Sequence, residues 1–105
     1  MEASPRELLV CQDRNGHEPF RAWIESLDVP ARARIRVRLD RVEDGNFGDV
    51  RSVGKGVSEL RIDFGPGFRV YFGQFGAEVH LICGGSKQTQ DSDIEFAIRF
   101  WREHE

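Results

Sequence analysis

Hydrophobic and polar positions alternate with period two in three successive runs in the second half of the chain. Leu60, Ile62 and Phe64 fall on one side of the first run, and Phe68, Val70 and Phe72 on one side of the second. Glu59, Arg61, Asp63, Arg69 and Tyr71 fall on the other. The third run is Glu78-Val-His-Leu-Ile-Cys83, and glycine-containing turns separate the three. Successive side chains of a strand point to opposite faces. The stretch Gly54–Lys87 therefore predicts an antiparallel meander with an apolar face and a polar, arginine-bearing face.

The first half changes period. Leu8–Cys11 is a short apolar run that predicts a strand in the same sheet, followed by a turn-rich loop, Gln12–His17. Pro19 suits the first position of a helix, and Phe20, Trp23, Ile24 and Leu27 repeat at helical spacing behind it. Asp28-Val29-Pro30 interrupts that helix, and Pro30 opens the next. Ala31, Ile35, Leu39 and Val42 make the buried stripe of this second helix, which runs to Glu43 and ends at Gly45-Asn46. Phe47–Gly56 reads as a glycine-rich loop without a phosphate-loop pattern. A last helix starts near Thr89 or Asp91, with Ile94, Ala97, Ile98 and Trp101 on one stripe and Phe96 and Phe100 on another. That second stripe needs a neighbour, either a partner protein or an element of this chain. The order β-α-α-β-β-β-α predicts an α+β fold of two layers, with two helices on one face of the sheet. The opposite face is then partly open, and the last helix lies at its margin.

Composition narrows the class. With 105 residues, the chain is sized for one domain, residues 1–105, with one core. A net charge of −3 argues against a general nucleic-acid binder, but the charge is uneven. Nine basic residues stand against six acidic ones between Arg32 and Arg69, and the tail is acidic. A basic middle of this kind supports a local positive cleft. The arginines of the second helix divide by spacing into Arg34, Arg38 and Arg41 on one flank and Arg32 and Arg36 on the other. They read as a nucleic-acid rail or as a solvated face paired with Asp40, Glu43 and Asp44, and the second reading is the ordinary one. Cys11 and Cys83 each sit in an apolar run and read as buried free thiols. Neither they nor His17 and His104 show a local metal-ligand spacing, and those two histidines read as solvent-exposed. No signal peptide and no run long enough to span a membrane is present, so the expected location is cytoplasmic.

Several blocks together carry a family resemblance. They are Phe20-Arg-Ala-Trp-Ile, Ala31-Arg-Ala-Arg-Ile, Gly45-Asn-Phe-Gly-Asp, Gly54-Lys-Gly-Val-Ser-Glu-Leu-Arg-Ile, Gly65-Pro-Gly-Phe-Arg-Val-Tyr-Phe and Cys83-Gly-Gly-Ser-Lys. In this order and spacing the chain resembles the phage-derived addiction-module killer proteins of the RelE/ParE toxin superfamily, close to the HigB-like branch. The resemblance implies the toxin of a type II toxin–antitoxin pair. Its partner would be a cognate antitoxin, commonly a helix-turn-helix protein in this branch. Its activity would be cleavage of messenger RNA on the ribosome, with no cofactor. ParE-type relatives instead act on DNA gyrase, and a degenerate member would only bind its antitoxin. The resemblance puts Arg61, Arg69 and Lys87 on basic sites of the RelE-type cleft. Glu59 stands where RelE has a lysine, and Asp93 and Ile94 stand near the place of the RelE C-terminal tyrosine.

The chemistry so implied is metal-independent attack of a 2′-hydroxyl on the adjacent phosphate, which needs a base, an acid and cations around the developing charge. Arg61 and Arg69 suit the cationic role, because guanidinium matches phosphate geometry. Lys87 and Lys55 suit flanking phosphates or the leaving oxygen, and Arg51 is a further binding candidate in the preceding loop. His80 lies between core-facing Val79 and Leu81, so alternation puts it on the Arg61/Arg69 side as a candidate acid or base. The alternative is a histidine packed at the sheet margin. Glu59 is a candidate base or the partner of a surface ion pair. Tyr71 is a candidate to stack a base or contact phosphate, or a half-buried strand aromatic.

Overall fold

The computed structural model describes residues 4–104. Its elements are β1 (Glu7–Val10), α1 (Pro19–Glu25), α2 (Val29–Glu43), β2 (Val50–Gly54), β3 (Val57–Ile62), β4 (Phe68–Phe75), β5 (Glu78–Ser86), a 3-10 turn (Lys87–Thr89) and α3 (Gln90–His104). The five strands form one sheet in the order β1-β5-β4-β3-β2. β1 runs parallel to β5, and the other pairs are antiparallel. The fold is therefore α+β, with a mixed sheet and three helices.

Local chemistry accounts for the helix starts. Pro19 opens α1, where a missing N–H costs nothing. Asp28 caps α2, its Oδ1 accepting from the Ala31 N–H at 3.0 Å. α1 and α2 cover one face of the sheet. Phe20, Ala31, Ile35, Leu39 and Val42 meet Leu60, Ile62, Phe68, Val70, Phe72, Val79 and Leu81 there in one apolar core. Every strand residue in that set agrees with the predicted alternation.

Two expectations need correction. The segment read as a loop, Phe47–Gly56, contains β2, which closes onto β3 through a tight turn in which Lys55 takes a positive φ of 55° between Gly54 and Gly56. β2 is nearly all exposed and carries no apolar alternation. Its strand geometry comes from pairing with β3. The second correction concerns the face opposite α1 and α2. It is less open than expected, because α3 crosses onto it and packs Ala97 and Trp101 against Val57, Tyr71, Ile82 and Cys83 in a second core that also takes in Cys11. The indoles sit where the strands carry no side chain. A Cβ on Gly73 would collide with Trp101, and one on Gly84 with Trp23. Both cysteines are buried free thiols. Burial pushes Cys11 up to about 11 and Cys83 to about 12. Among the described residues no helix is long and apolar enough to cross a membrane.

Candidate functional site

The α3-facing side of β3 and β4 is polar toward the Ile62/Phe68 end. Register places Glu59 opposite Tyr71 and Arg61 opposite Arg69. Side chains opposed in this way are neighbours on one face, so these four residues share the sheet face that their alternation predicted.

Glu59 is not on the surface. It is fully buried and holds three partners. Its carboxylate accepts from Arg51 Nε at 2.9 Å, from the Tyr71 hydroxyl at 3.0 Å and from Gln90 Nε2 at 2.9 Å. The expected surface ion pair is thus a pair with a buried carboxylate, and Arg51, 52% exposed, spends its guanidinium on it from the edge strand. Burial raises a carboxyl's pKa, but the bonds from Arg51, Gln90 and Tyr71 outweigh it and hold Glu59 below its ordinary value. Tyr71 is pushed upward, first by burial and then by the Glu59 carboxylate. It is fully enclosed, with no face left to stack on a base. Gln90, the first residue of α3, carries no signal in the sequence for this role beyond its place at a helix start.

Arg69 differs from Glu59 in one respect. It is 6% exposed, yet among the described residues no carboxylate lies within salt-bridge distance. One guanidinium nitrogen, Nη1, donates to the Gly67 carbonyl at 2.7 Å, and the buried Nε has no partner. A Cβ placed on Gly67 would touch both Arg69 Nη1 and Lys87 Cβ, so Arg69 and Lys87 flank the same glycine. Lys87 is exposed in the turn before α3. Arg61 is 44% exposed, with Asp49 a distant partner at 3.9 Å. The Arg61–Arg69–Lys87 group is therefore brought together, half-open at Arg61 and Lys87 and enclosed at Arg69.

A cleft of about 340 Å³ continues this surface around the end of β3. Arg34, Arg38, Arg41 and Arg61 line it with Asp49 and Phe64. Arg34 lies over the Phe64 ring at 4.7 Å, and Arg38 donates to the Arg61 carbonyl at 3.3 Å. These are the three arginines that spacing grouped on one flank of α2. Among the described residues none of them is in a salt bridge with Asp40, Glu43 or Asp44, contrary to the ordinary reading.

Two candidates lie elsewhere. His80 pairs with Gly73, whereas Arg69 pairs with Gly85. Five residues along β5 separate the two positions, roughly 16 Å at strand rise. His80 therefore does not join the arginines. It packs at the far end against Phe75, Trp101 and His104, and Glu78 Oε1 lies 3.0 Å from its Nε2. Alternation assigned it to the correct face but not to the correct end. Lys55 is exposed in the β2–β3 turn, also at that end of the sheet.

Comparison with known proteins places this geometry in a sequence context. A family model described as phage-derived protein Gp49-like (DUF891) matches residues 22–100. An uncharacterised protein of Haemophilus influenzae is 50% identical over 80 residues, which cover 74% of this chain and 81% of that protein.

Proposed function

The chain belongs to the Gp49-like family of phage-derived proteins, a family associated with toxin-like proteins, and from that premise we propose that it is the toxin of a type II toxin–antitoxin pair, of RelE/ParE type and near the HigB-like branch. Its proposed activity is metal-independent cleavage of messenger RNA on the ribosome, restrained by a cognate antitoxin, commonly a helix-turn-helix protein in such pairs.

One observation carries this reading: among the described residues, Arg69 is a buried guanidinium with no carboxylate in salt-bridge distance and an unpartnered Nε, set directly across from a second arginine. Burying an unpaired charge costs several kcal/mol, by order of magnitude, and like charges opposed across strands add to that cost. An incoming phosphate removes both penalties. Arg61 and Lys87 reach the same anion from the exposed side, and the Arg34/Arg38/Arg41 cleft supplies a path for the flanking backbone. Arg69 stabilises charge on the phosphate as the 2′-oxygen attacks and the 5′-oxygen leaves. Glu59 is consumed by Arg51, Tyr71 and Gln90, so it serves as the post that holds α3 and β2 to the sheet, not as the base.

That same enclosure of Glu59 and Tyr71 favours a second reading, a family member that binds its antitoxin without cleaving RNA. Induced expression without antitoxin, with primer extension on an abundant message, separates the two. New 5′ ends in phase with codons, lost in Arg69→Ala, support the interferase. Arrest without new ends moves the target to gyrase or elsewhere, and soluble, folded protein with no arrest leaves the antitoxin-binding reading.

A further inference from the structure

The far end of the α3-facing side carries chemistry that RNA cleavage does not use. Cys11 follows β1, His80 lies on β5 and His104 ends α3, and one ligand atom from each lies within 4.8 Å of the others. Cys11 Sγ is 4.0 Å from His104 Nε2. Three elements distant in sequence thus converge on one point. Its walls are aromatic: His104 stacks on Trp101 at 5.4 Å, and His80 meets Phe75 at 5.1 Å. Cys11 is buried, the His80 side chain is 13% exposed, and His104 borders a pocket of about 400 Å³ that opens beside Gln12–Asn15 and Phe100. A carboxylate stands beside the cluster, since Glu78 Oε1 lies 3.0 Å from His80 Nε2.

We propose that Cys11, His80 and His104 form a Zn²⁺ site that clasps the last turn of α3 to β1 and β5. A thiolate with two imidazoles is a borderline-soft donor set, which suits Zn²⁺ and excludes Mg²⁺ and Ca²⁺. Tetrahedral bonds of 2.0–2.3 Å put ligand atoms about 3.5 Å apart. The present spacing therefore closes by about an ångström, and the exposed imidazole at the helix end is the one free to move. Binding sends the Cys11 thiol proton to solvent, and the fourth position takes water or the Glu78 carboxylate. The clasp lies roughly 16 Å from Arg69, so it acts on the packing of α3 and not on the phosphate.

The test is a Co²⁺ titration of the metal-stripped full chain. The expected result is one equivalent bound with a thiolate-to-cobalt charge-transfer band and intense tetrahedral bands in the visible, all displaced by Zn²⁺. His104→Ala should weaken Co²⁺ binding at least about tenfold while leaving the circular dichroism intact, because its side chain is exposed. Cys11→Ser should remove the charge-transfer band, and Cys83→Ser and His17→Ala should keep it. Zn²⁺ should raise the melting midpoint of the wild type and not of His104→Ala. A weak octahedral spectrum without the thiolate band overturns the proposal. So does a band that survives His104→Ala unchanged, or one lost only with Cys83.

Discussion

The two faces of the sheet are built from the same strands but solve different problems. The face under α1 and α2 is a single apolar core from Phe20 to Leu81, and each strand residue in it is aliphatic or aromatic. The face under α3 is divided along its length. Its middle is apolar, one end buries a carboxylate, a phenol and an arginine, and the other end gathers a thiol and two imidazoles. Hydrophobic burial is non-directional and tolerant of position, so the first face needs only the correct period. The second face buries polar groups that must each find a partner. Among the described residues Arg69 Nε is an exception, buried without a partner.

The comparison is broken most severely from the apolar side. Leu60→Ala should cost about 2–5 kcal/mol in urea unfolding, because the side chain is fully buried among the strand and helix residues of the first core. A loss below about 1 kcal/mol would mean that this face is not the principal core. Gly84→Ala should cost about 1–3 kcal/mol by forcing the Trp23 ring out of place, read as a lowered urea midpoint with altered tryptophan fluorescence.

On the second face the effects are smaller and depend on pH. Tyr71→Phe should cost about 1–2 kcal/mol, since it leaves Glu59 short of one donor. The folded state holds the Glu59 carboxyl below its ordinary 4.5, so the stability it contributes is complete above pH 4.5. That contribution is lost as pH falls from there through the folded value. Glu59→Gln should therefore be less stable than wild type at pH 7, with a difference that narrows as the pH is lowered below 4.5. A gap that stays constant would mean that Glu59 is not ionised in its buried site. The smallest change in stability should come from Arg69→Met, which replaces an unpaired buried cation with an apolar side chain and should leave stability equal or raise it by about 1 kcal/mol. The same substitution should abolish growth arrest. A strongly destabilised Arg69→Met would make this arginine a structural group.

Period and punctuation determined much of this protein. The alternation from Leu60 to Phe72 and the helical stripes at Phe20–Leu27 and Ala31–Val42 are local consequences of 2.0- and 3.6-residue repeats, and each names its buried face without reference to the rest of the chain. The pairing of Arg61 and Arg69 on one face follows from the same arithmetic. Tertiary structure decided what no repeat encodes. β2 is a strand because β3 offers it an unpaired edge, although its own residues carry no alternation. Glu59 is buried because Gln90 and Arg51 arrive from elements 31 and 8 residues away. His80 has the side that alternation assigns to it, but its distance from Arg69 depends on strand register, which pairs Arg69 with Gly85, five residues along β5 from His80. Cys11 and His104 stand 93 residues apart in the chain and meet only because α3 returns across the sheet to β1. Side-chain direction is a local property of the backbone, and proximity between distant segments is a property of the packed whole.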